Sequence, residues 1–410
     1  MDATLLSVVQ QEQFKDKARA ESMLLGFLRR IFPLDVVSVE LRPLAVSLNS
    51  FNGFVGLADG RRLFFKTHIE QDSAIDEYYN SSSLAAAGYP VIQPLYSSTE
   101  AGRQLLIYEV VDDPTVFDVA WEIDNGNVDL LAPLAVAQRQ ADRDLLRIYS
   151  GTLEIDAEES NVAPIHQLFY HRLNGQRYRQ FYPDAGEVIL PGGTIQKSDL
   201  FSMRWQINGQ DYTETLSGIV SRSVALLRPG KSGPSVVGHG DAHNGNVFLR
   251  AQPASLVYFD PAFAGRHDPL LDLAKPLFHN VFAMWMYYPR EIRERLEITC
   301  KIGDGLISVD HNHRLSAVRR MFFESKVEDV LIPILVELKR RGWLDEGWRD
   351  LLKAALMCCP LLTMNLTDGT RFSPEISALG FAYAVEMGSE SRNVRSIIDL
   401  ALDGVAAALR

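Results

Sequence analysis

A short polar segment and an aspartate that follows it constrain this chain more than any other feature. Residues 239–246 read His-Gly-Asp-Ala-His-Asn-Gly-Asn, and Asp260 comes directly after the apolar run at 256–259. That run, a polar turn and the apolar residues 247–249 predict a β-hairpin. A hairpin here returns Asp260 towards Asn246, so that two oxygen ligands separated in sequence bind one ion.

The same segment carries the side chains that phosphoryl transfer needs. Transfer of the γ-phosphoryl group of ATP to a hydroxyl requires a carboxylate that orients the hydroxyl and takes its proton, and oxygen ligands for Mg²⁺. Asp241 is the predicted base, while Asn246 and Asp260 are the predicted amide and carboxylate ligands of the metal. A surface turn rich in Asp and Asn is the alternative interpretation.

The segment resembles the catalytic loop of the aminoglycoside phosphotransferase and choline kinase family, small-molecule relatives of the protein kinases. That family has His-Gly-Asp where protein kinases have His-Arg-Asp, and an Asp with a variable neighbour where they have Asp-Phe-Gly. Residues 268–274, Asp-Pro-Leu-Leu-Asp-Leu-Ala, are similar to a further family motif. The resemblance implies that His239 and Asp272 support the loop. An ordinary helix cap remains the alternative for Asp272.

An upstream β-rich region predicts a place for the nucleotide. Residues 36–46 and 54–67 alternate β-branched and aromatic residues with polar ones, with breaks at 49–53 and at Asp59-Gly60. This pattern predicts a hairpin. Lys66 lies at the end of its second strand, where an unpaired buried ammonium is costly and needs an anionic partner or solvent.

A helix predicted over residues 73–87 supplies a candidate partner for that lysine. Glu77, Leu84, Gly88 and Pro90 fall on the family's offsets. The resemblance implies that Lys66 binds the α and β phosphates of ATP and that Glu77 orients it. A lysine reaching solvent from an edge strand and a solvated glutamate are the alternatives, and Glu70 and Asp76 compete with Glu77.

Two further nucleotide contacts are expected. Asn52 falls where the family's degenerate phosphate-covering loop ends in Asn, although polar turns of this kind are common. The strand-like residues 105–109 are followed by a crossover segment. Backbone groups of Glu109 and Val111 are predicted to meet the adenine edge, since main-chain hydrogen bonds hold a flat base with little demand on side chains.

Length and composition limit which folds can contain these motifs. With 410 residues, 47% of them hydrophobic, the chain can bury more than one core. We therefore predict an α+β, bilobal protein-kinase-like fold: a small antiparallel-sheet lobe over residues 1–111 and a larger, mainly helical lobe over 112–410. No run reaches membrane-spanning length and no signal peptide is visible, which predicts a cytoplasmic protein. A net charge of −11 argues against a nucleic-acid partner.

The larger lobe contains three regions that bear on specificity. A long amphipathic helix is predicted over residues 128–149, and a β-rich insertion over about 165–215. Arginines of this insertion, including Arg172, face the acceptor or, equally well, solvent. The aromatic residues 278–288 predict a helix that is core more readily than acceptor pocket. Residues 311–313, His-Asn-His, predict an exposed loop rather than a metal site.

These features together predict ATP-dependent, Mg²⁺-assisted phosphorylation of a hydroxyl on a small molecule, such as a sugar, aminoglycoside or amino alcohol. A nucleotide-binding regulatory protein, or pseudokinase, of the same fold is the alternative. Phosphorylation of proteins is disfavoured because His243 stands where protein kinases usually carry Lys. The sequence selects neither the acceptor nor an oligomeric state.

Overall fold

The computed structural model describes residues 5–42, 50–68, 73–98, 100, 102–156 and 162–410. The chain forms two compact units: Met1–Asp113 with Val257–Ala264, and Pro114–Leu256 with Gly265–Arg410. The short return segment Val257–Ala264 brings Asp260 into the first unit, a feature that the sequence did not indicate. The nucleotide-binding and catalytic roles of residues 1–111 and 112–410 stay predictions.

The first unit contains an antiparallel sheet with strand order β1-β2-β3-β5-β4. Its elements are α1 (Leu5–Glu12), α2 (Lys17–Ile31), β1 (Val36–Leu41), β2 (Ser50–Leu57), β3 (Arg62–His68), α3 (Ser73–Ala87), β4 (Tyr96–Ser98) and β5 (Leu105–Glu109). The sequence did not predict α1 and α2. Leu24, Phe27 and Leu28 of α2 are buried in one core with Val36 and Phe65 of the sheet.

The β2–β3 hairpin has the predicted turn. Gly60 adopts φ +86°, and the Asp59 carboxylate accepts a hydrogen bond from Arg61 N at 3.0 Å, as Asp and Gly favour in tight turns. The predicted break at 49–53 is wrong for residues 50–53, because these pair with β3 as part of β2. Residues 43–49 lie outside the described residues. Helix α3 ends before Gly88, whose φ of +102° suits a glycine at a helix end.

The second unit is mainly helical. Its helices are α4 (Val116–Asp124), α5 (Leu131–Thr152), α6 (Ile165–Leu168), α7 (Tyr170–Leu173), α8 (Gln176–Phe181), α9 (Lys197–Ser202), α10 (Leu216–Leu226), α11 (Pro269–His279), α12 (Met284–Tyr287), α13 (Pro289–Arg295), α14 (Ala317–Lys326), α15 (Ile332–Arg341), α16 (Trp348–Leu362), α17 (Pro374–Gly388) and α18 (Ile397–Ala408). A π-helical turn, Val327–Leu331, joins α14 to α15. No helix within the described ranges is both long and apolar enough to span a membrane.

Short strands complete the second unit: β6 (Glu154–Asp156), β7 (Glu187–Leu190), β8 (Gly193–Gln196), β9 (Arg204–Ile207), β10 (Gln210–Tyr212), β11 (Gly233–Gly238), β12 (Val247–Ala251), β14 (Gly265–His267), β15 (Ile298–Gly303), β16 (Leu306–His311) and β17 (Arg392–Asn393). Strand β13 (Ala254–Tyr258) begins in this unit, and its last two residues belong to the first. β12 and β13 form the predicted hairpin, and β7 pairs with β8. A separate sheet has the order β15-β16-β9-β10-β17, in which β16 and β9 are parallel.

Three local predictions are wrong in part. The first third of the β-rich insertion is helical, since α6, α7 and α8 occupy it. The predicted aromatic helix is interrupted between α11 and α12, although Trp285 and Phe278 are fully buried, as core residues are. His311 lies not in an exposed loop but at the end of β16, where it is buried. For His311, pairing of β16 with β9 and β15 decides the local structure.

Candidate active site

Lys66 forms an ion pair within the first unit. Its ammonium contacts the carboxylate of Asp260, and the Lys66 side chain is only 11% exposed. Asn52 stands opposite Lys66 in the register of β2 and β3, which places the two side chains on one face of the sheet. The buried ammonium thus has the anionic partner that its position on an apolar strand requires.

Aromatic packing holds Asp260 in place. The ring of Phe259 packs edge-on against Phe64 and Tyr108, with centroids 6.1 and 5.2 Å apart. Just before it, Tyr258 N donates to the carbonyl of Pro90 at 2.8 Å, and the Tyr258 carbonyl accepts from Ile92 N at 2.9 Å. These contacts fix the backbone that leads into Asp260.

The backbone of Asp260 is itself unusual. Its φ is +57°, a left-handed conformation that is uncommon for residues other than glycine and costs free energy. Its side chain remains 32% exposed beside Lys66. A residue with a strained backbone and an accessible side-chain oxygen is typical of functional sites. Asp260 was the predicted metal ligand.

The structure places the other predicted nucleotide residues with less detail. Glu77 lies on α3, but its side chain is outside the described part of the chain. Glu109 is the last residue of β5, pairs with Leu63 of β3 and is exposed. Val111 follows two residues later. The nucleotide roles of Glu77, Glu109 and Val111 stay predictions.

In the second unit, Asp272 anchors the predicted catalytic loop. Its carboxylate accepts a hydrogen bond from Gly240 N at 2.6 Å and another from the Tyr149 hydroxyl. Gly240 adopts φ +79°, which glycine tolerates. The cap of α11 is a different residue, Asp268, which accepts from Leu270 N at 2.8 Å. Asp272 therefore joins the loop to α5 and α11, and the simple-cap alternative does not describe it.

Hydrogen bonds within the loop give Asn246 a defined orientation. Its Nδ2 donates to the carbonyl oxygen of Asp241 at 2.9 Å, so the amide oxygen is directed away from that carbonyl. The same carbonyl accepts from His243 N at 2.9 Å. His239 is completely buried, and its Nδ1 lies 3.4 Å from Asp241 N. These contacts bring His239, Asp241 and Asn246 together in one turn.

The Asp241 carboxylate faces positive charge. Its Oδ1 lies 3.3 Å from Lys275 Nζ and 3.9 Å from His243 Nε2. Burial alone would raise the pKa of Asp241, but Lys275, followed by His243, His279 and Arg172, holds the pKa of this carboxyl well below its usual range. Asp241 is consequently ionised throughout the neutral range.

His279 lies behind this charge cluster. Its ring centroid is 5.8 Å from that of His243, and its Nδ1 lies 2.8 Å from the Tyr287 hydroxyl. Burial, reinforced by Lys275, lowers the pKa of His279 well below the ordinary value. This imidazole is therefore neutral near pH 7, where it can relay hydrogen bonds, and it adds positive charge only at low pH.

Lys275 is the residue that sequence reasoning missed. It lies in the mostly apolar, buried helix α11, three residues after Asp272, and thus on the same side of the helix. The sequence signal for Lys275 is the same as for Lys66: a lysine among mostly apolar residues. Its partner, Asp241, lies in another element and was not predictable from local spacing.

The available donors suit magnesium better than a metal held by protein alone. Within the described ranges, no group of three or more His, Cys, Asp or Glu side chains is arranged to hold a metal. Mg²⁺ typically takes one or two carboxylates and completes its shell with phosphate oxygens and water. Asp260 in the first unit and the Asn246 amide oxygen in the second are each ligands of the kind it uses.

Comparisons with known proteins give structural likenesses only. No family model matches the chain, and no curated protein matches it. An amicoumacin kinase bound to AMP-PNP, Ca²⁺ and its ligand is 15% identical, with 91% of this chain and 96% of that chain covered and a TM-score of 0.46.

Two further solved structures are similar. An aminoglycoside phosphotransferase with AMP-PNP and hygromycin B is 11% identical over 89% of this chain and 98% of that chain, with a TM-score of 0.48. A macrolide 2'-phosphotransferase from Brachybacterium faecium is 15% identical over 96% and 98%, with a TM-score of 0.39. These neighbours are small-molecule kinases and phosphotransferases. All three TM-scores lie below 0.5, and the roles of residues here must come from this chain's own geometry.

Proposed function

We propose that this protein is an ATP-dependent phosphotransferase that transfers the γ-phosphoryl group to a hydroxyl of a small molecule. One observation supports this most: Asp241, on a loop anchored by Asp272, has its carboxylate 3.3 Å from the Lys275 ammonium. Phosphoryl transfer depends mainly on positioning and charge neutralisation, and a rigidly held, ionised carboxylate beside a cation supplies both.

Asp241 is proposed to orient the acceptor hydroxyl and to take its proton. Because its pKa is held well below the usual range, Asp241 is a weak base. It therefore accepts the proton only once transfer has advanced far enough to acidify the hydroxyl. Lys275 keeps the carboxylate ionised and directed. Most of the contribution of Asp241 is accordingly orientation of the nucleophile.

The nucleotide and metal roles are proposed residue by residue. Lys66 binds the α and β phosphates, and Mg²⁺ when bound neutralises phosphate charge through oxygen ligands. Asp260 supplies a carboxylate oxygen and Asn246 an amide oxygen. His239 and Asp272 maintain the loop. The remaining proposed ATP contacts are Asn52, Glu77, Glu109 and Val111.

The decisive variant is Asp241→Asn. It keeps the shape of the side chain but removes the charge and the proton acceptor, so turnover should fall by about 10²–10⁴-fold. AMP-PNP affinity, measured by calorimetry, should stay close to wild type. Asp310→Asn is the matched control, because Asp310 is an exposed carboxylate on β16. Near-normal turnover by Asp241→Asn would remove Asp241 as the base.

A regulatory protein of the same fold binds nucleotide without turning it over. Nucleotide binding and ATP consumption should therefore be measured together against a panel of hydroxyl compounds. We expect both signals. Binding without consumption for any acceptor would favour the regulatory alternative over the enzyme. The cytoplasmic location expected from the sequence stays a prediction.

A further inference from the structure

Three arginines of the second unit lack a carboxylate partner. Arg172, Arg177 and Arg371 make no ion pair within the described ranges, and the charged group of Arg177 donates only to the Leu362 carbonyl, at 3.3 Å. Arg371 Nε is buried without a hydrogen-bond partner. None of the three is fully exposed. Guanidinium groups kept from water without a counter-ion are costly, so their presence calls for an explanation.

Other partly buried arginines in the same unit do have partners. Arg319 binds Asp124 at 2.7 Å, Arg222 binds Glu214 at 3.0 Å, and Arg349 binds Glu390 at 2.7 Å. The chain as a whole has a net charge of −11, so acidic residues are not scarce. The lack of an ion pair at Arg172, Arg177 and Arg371 is therefore a local property of the region they occupy, where Asp241 acts on Arg172 only from beyond ion-pair distance.

Contacts within the second unit relate this region to Asp241. Helices α7 and α8, which carry Arg172 and Arg177, pack on α16. Next to Leu362, the acceptor of Arg177, the Thr363 hydroxyl lies 3.5 Å from His279 Nε2. His279 in turn stacks near His243, which flanks the Asp241 carboxylate.

Electrostatic effects agree with this placement. Arg172 is among the cations that lower the pKa of Asp241. Arg371 acts to lower the pKa of Tyr287, whose hydroxyl contacts His279. Burial, followed by the neighbouring Arg177, lowers the pKa of Arg172 itself to about 10. An anion bound among these groups would offset both the free-energy cost of burying the guanidinium charges and the repulsion between them.

We propose that the acceptor carries, besides its hydroxyl, an anionic carboxylate or phosphate group that Arg172, Arg177 and Arg371 bind near Asp241. This inference rests on the proposed phosphotransferase function. The planar guanidinium forks bind either oxyanion with two parallel hydrogen bonds. Hydroxy acids and sugar phosphates are thus the favoured classes. Polycationic acceptors are disfavoured, because like charges that face each other cost binding free energy.

The first test compares related six-carbon acceptors that carry an anionic, a neutral or a cationic group. Gluconate, glucose 6-phosphate, glucose and glucosamine, together with three- to six-carbon analogues of each class, are titrated into the protein saturated with AMP-PNP and Mg²⁺. Thermal shift and calorimetry report binding. We expect at least one anionic compound to bind about tenfold or more tightly than its neutral and aminated counterparts. Equal binding across the classes, or no anionic binding at all, overturns the inference.

Variants then locate the site. Arg172→Gln and Arg371→Gln should each weaken the anionic compound by about ten- to hundredfold, the loss expected for one charged hydrogen-bonding partner. Arg179→Gln is the control, because Arg179 lies exposed on α8, near Arg177. It should leave binding unchanged. Equal losses in all three variants, or a loss of AMP-PNP affinity in place of acceptor affinity, overturn the assignment.

The two proposals fail in different ways. Anion binding that depends on Arg172 and Arg371, without ATP consumption, would refute the phosphotransferase function and leave the anion site standing. ATP consumption with neutral or aminated acceptors, at kcat/KM unchanged in Arg172→Gln, would refute the anionic acceptor and leave the phosphotransferase standing.

Discussion

Replacing Lys275 with Met tests how the charge of Asp241 is maintained. The substitution keeps the length and apolar stem of the side chain and removes only the ammonium, which lies 3.3 Å from Asp241 Oδ1. Without the ammonium, the free-energy cost of burying the charged carboxylate is less fully offset. The pKa of Asp241 should rise, and protonation of this residue should begin to limit activity at moderately acid pH.

The size of the effect follows from the distance. Two unit charges 3.3 Å apart attract by about 5 kcal/mol at an effective dielectric constant of about 20, equivalent to about three to four pKa units. His243, His279 and Arg172 remain in the variant and the site relaxes. We therefore expect a net rise of about one to three pKa units. Loss of the cation should also lower kcat at pH 7.5 by about 10²-fold.

The direction of the pH effect follows from the lowered pKa of Asp241 in the wild-type protein. A carboxyl group whose pKa is depressed in the folded protein stabilises that protein above its unfolded pKa, and this stability is lost as the pH falls. Raising the pKa moves the loss of ionised Asp241 to higher pH. The acid limb of kcat/KM should therefore move upwards in Lys275→Met, and its stability relative to wild type should recover below about pH 4.

The assay is a pH profile of kcat/KM from about pH 3 to 9, recorded by ADP release at a temperature where each variant is folded. Lys326→Met is the matched control, because Lys326 is another buried lysine of this unit, paired with Asp142 instead. This control also loses a buried ion pair, so its loss of stability should have a similar cause. Any acid limb of the kcat/KM profile that arises from titration of the nucleotide should appear in both variants. If the acid limbs of the two variants coincide, Lys275 does not maintain the charge of Asp241.

Two further predictions concern the surroundings of this loop. In Gly238→Ala the new Cβ would lie 2.5 Å from the Asp272 carboxylate, so we expect a lower Tm and about tenfold less turnover, whereas Gly404→Ala, with open space around it, should change neither. Burial raises the pKa of Asp268 to about 6, so its charge destabilises the fold as the pH rises through 6. Asp268→Asn should raise the free energy of unfolding in urea by about 1–3 kcal/mol at pH 8 and by much less at pH 4, and an equal gain at both pH values would contradict this.

Local patterns predicted several elements well. Alternating residues around Asp59-Gly60 predicted the β2–β3 hairpin, because a two-residue period and a left-handed turn position are properties of neighbouring residues. Helical periodicity predicted the long helix that the structure shows at Leu131–Thr152. The motif at 239–246 predicted that Asp241 and Asn246 lie in one turn, since only five residues separate them.

Non-local pairing accounts for most of the errors. Residues 165–181 were read as part of a β-rich insertion, but they form short helices, of which α7 and α8 pack on α16. His311 was read as exposed, but β16 pairs with β9 and carries it into a buried position. Strand partners and packing faces distant in sequence override local propensity.

The sequence by itself determined which chemical groups are available: Lys66, followed much later in the chain by a carboxylate, an amide and a second carboxylate at 241, 246 and 260. Only the tertiary structure decided which charges face each other. Lys66 meets Asp260, 194 residues away, and Asp241 meets Lys275, while Arg172 forms no ion pair among the described residues and acts on Asp241 from a greater distance. Electrostatic free energy depends on distance in space and on burial, and residue spacing along the chain specifies neither.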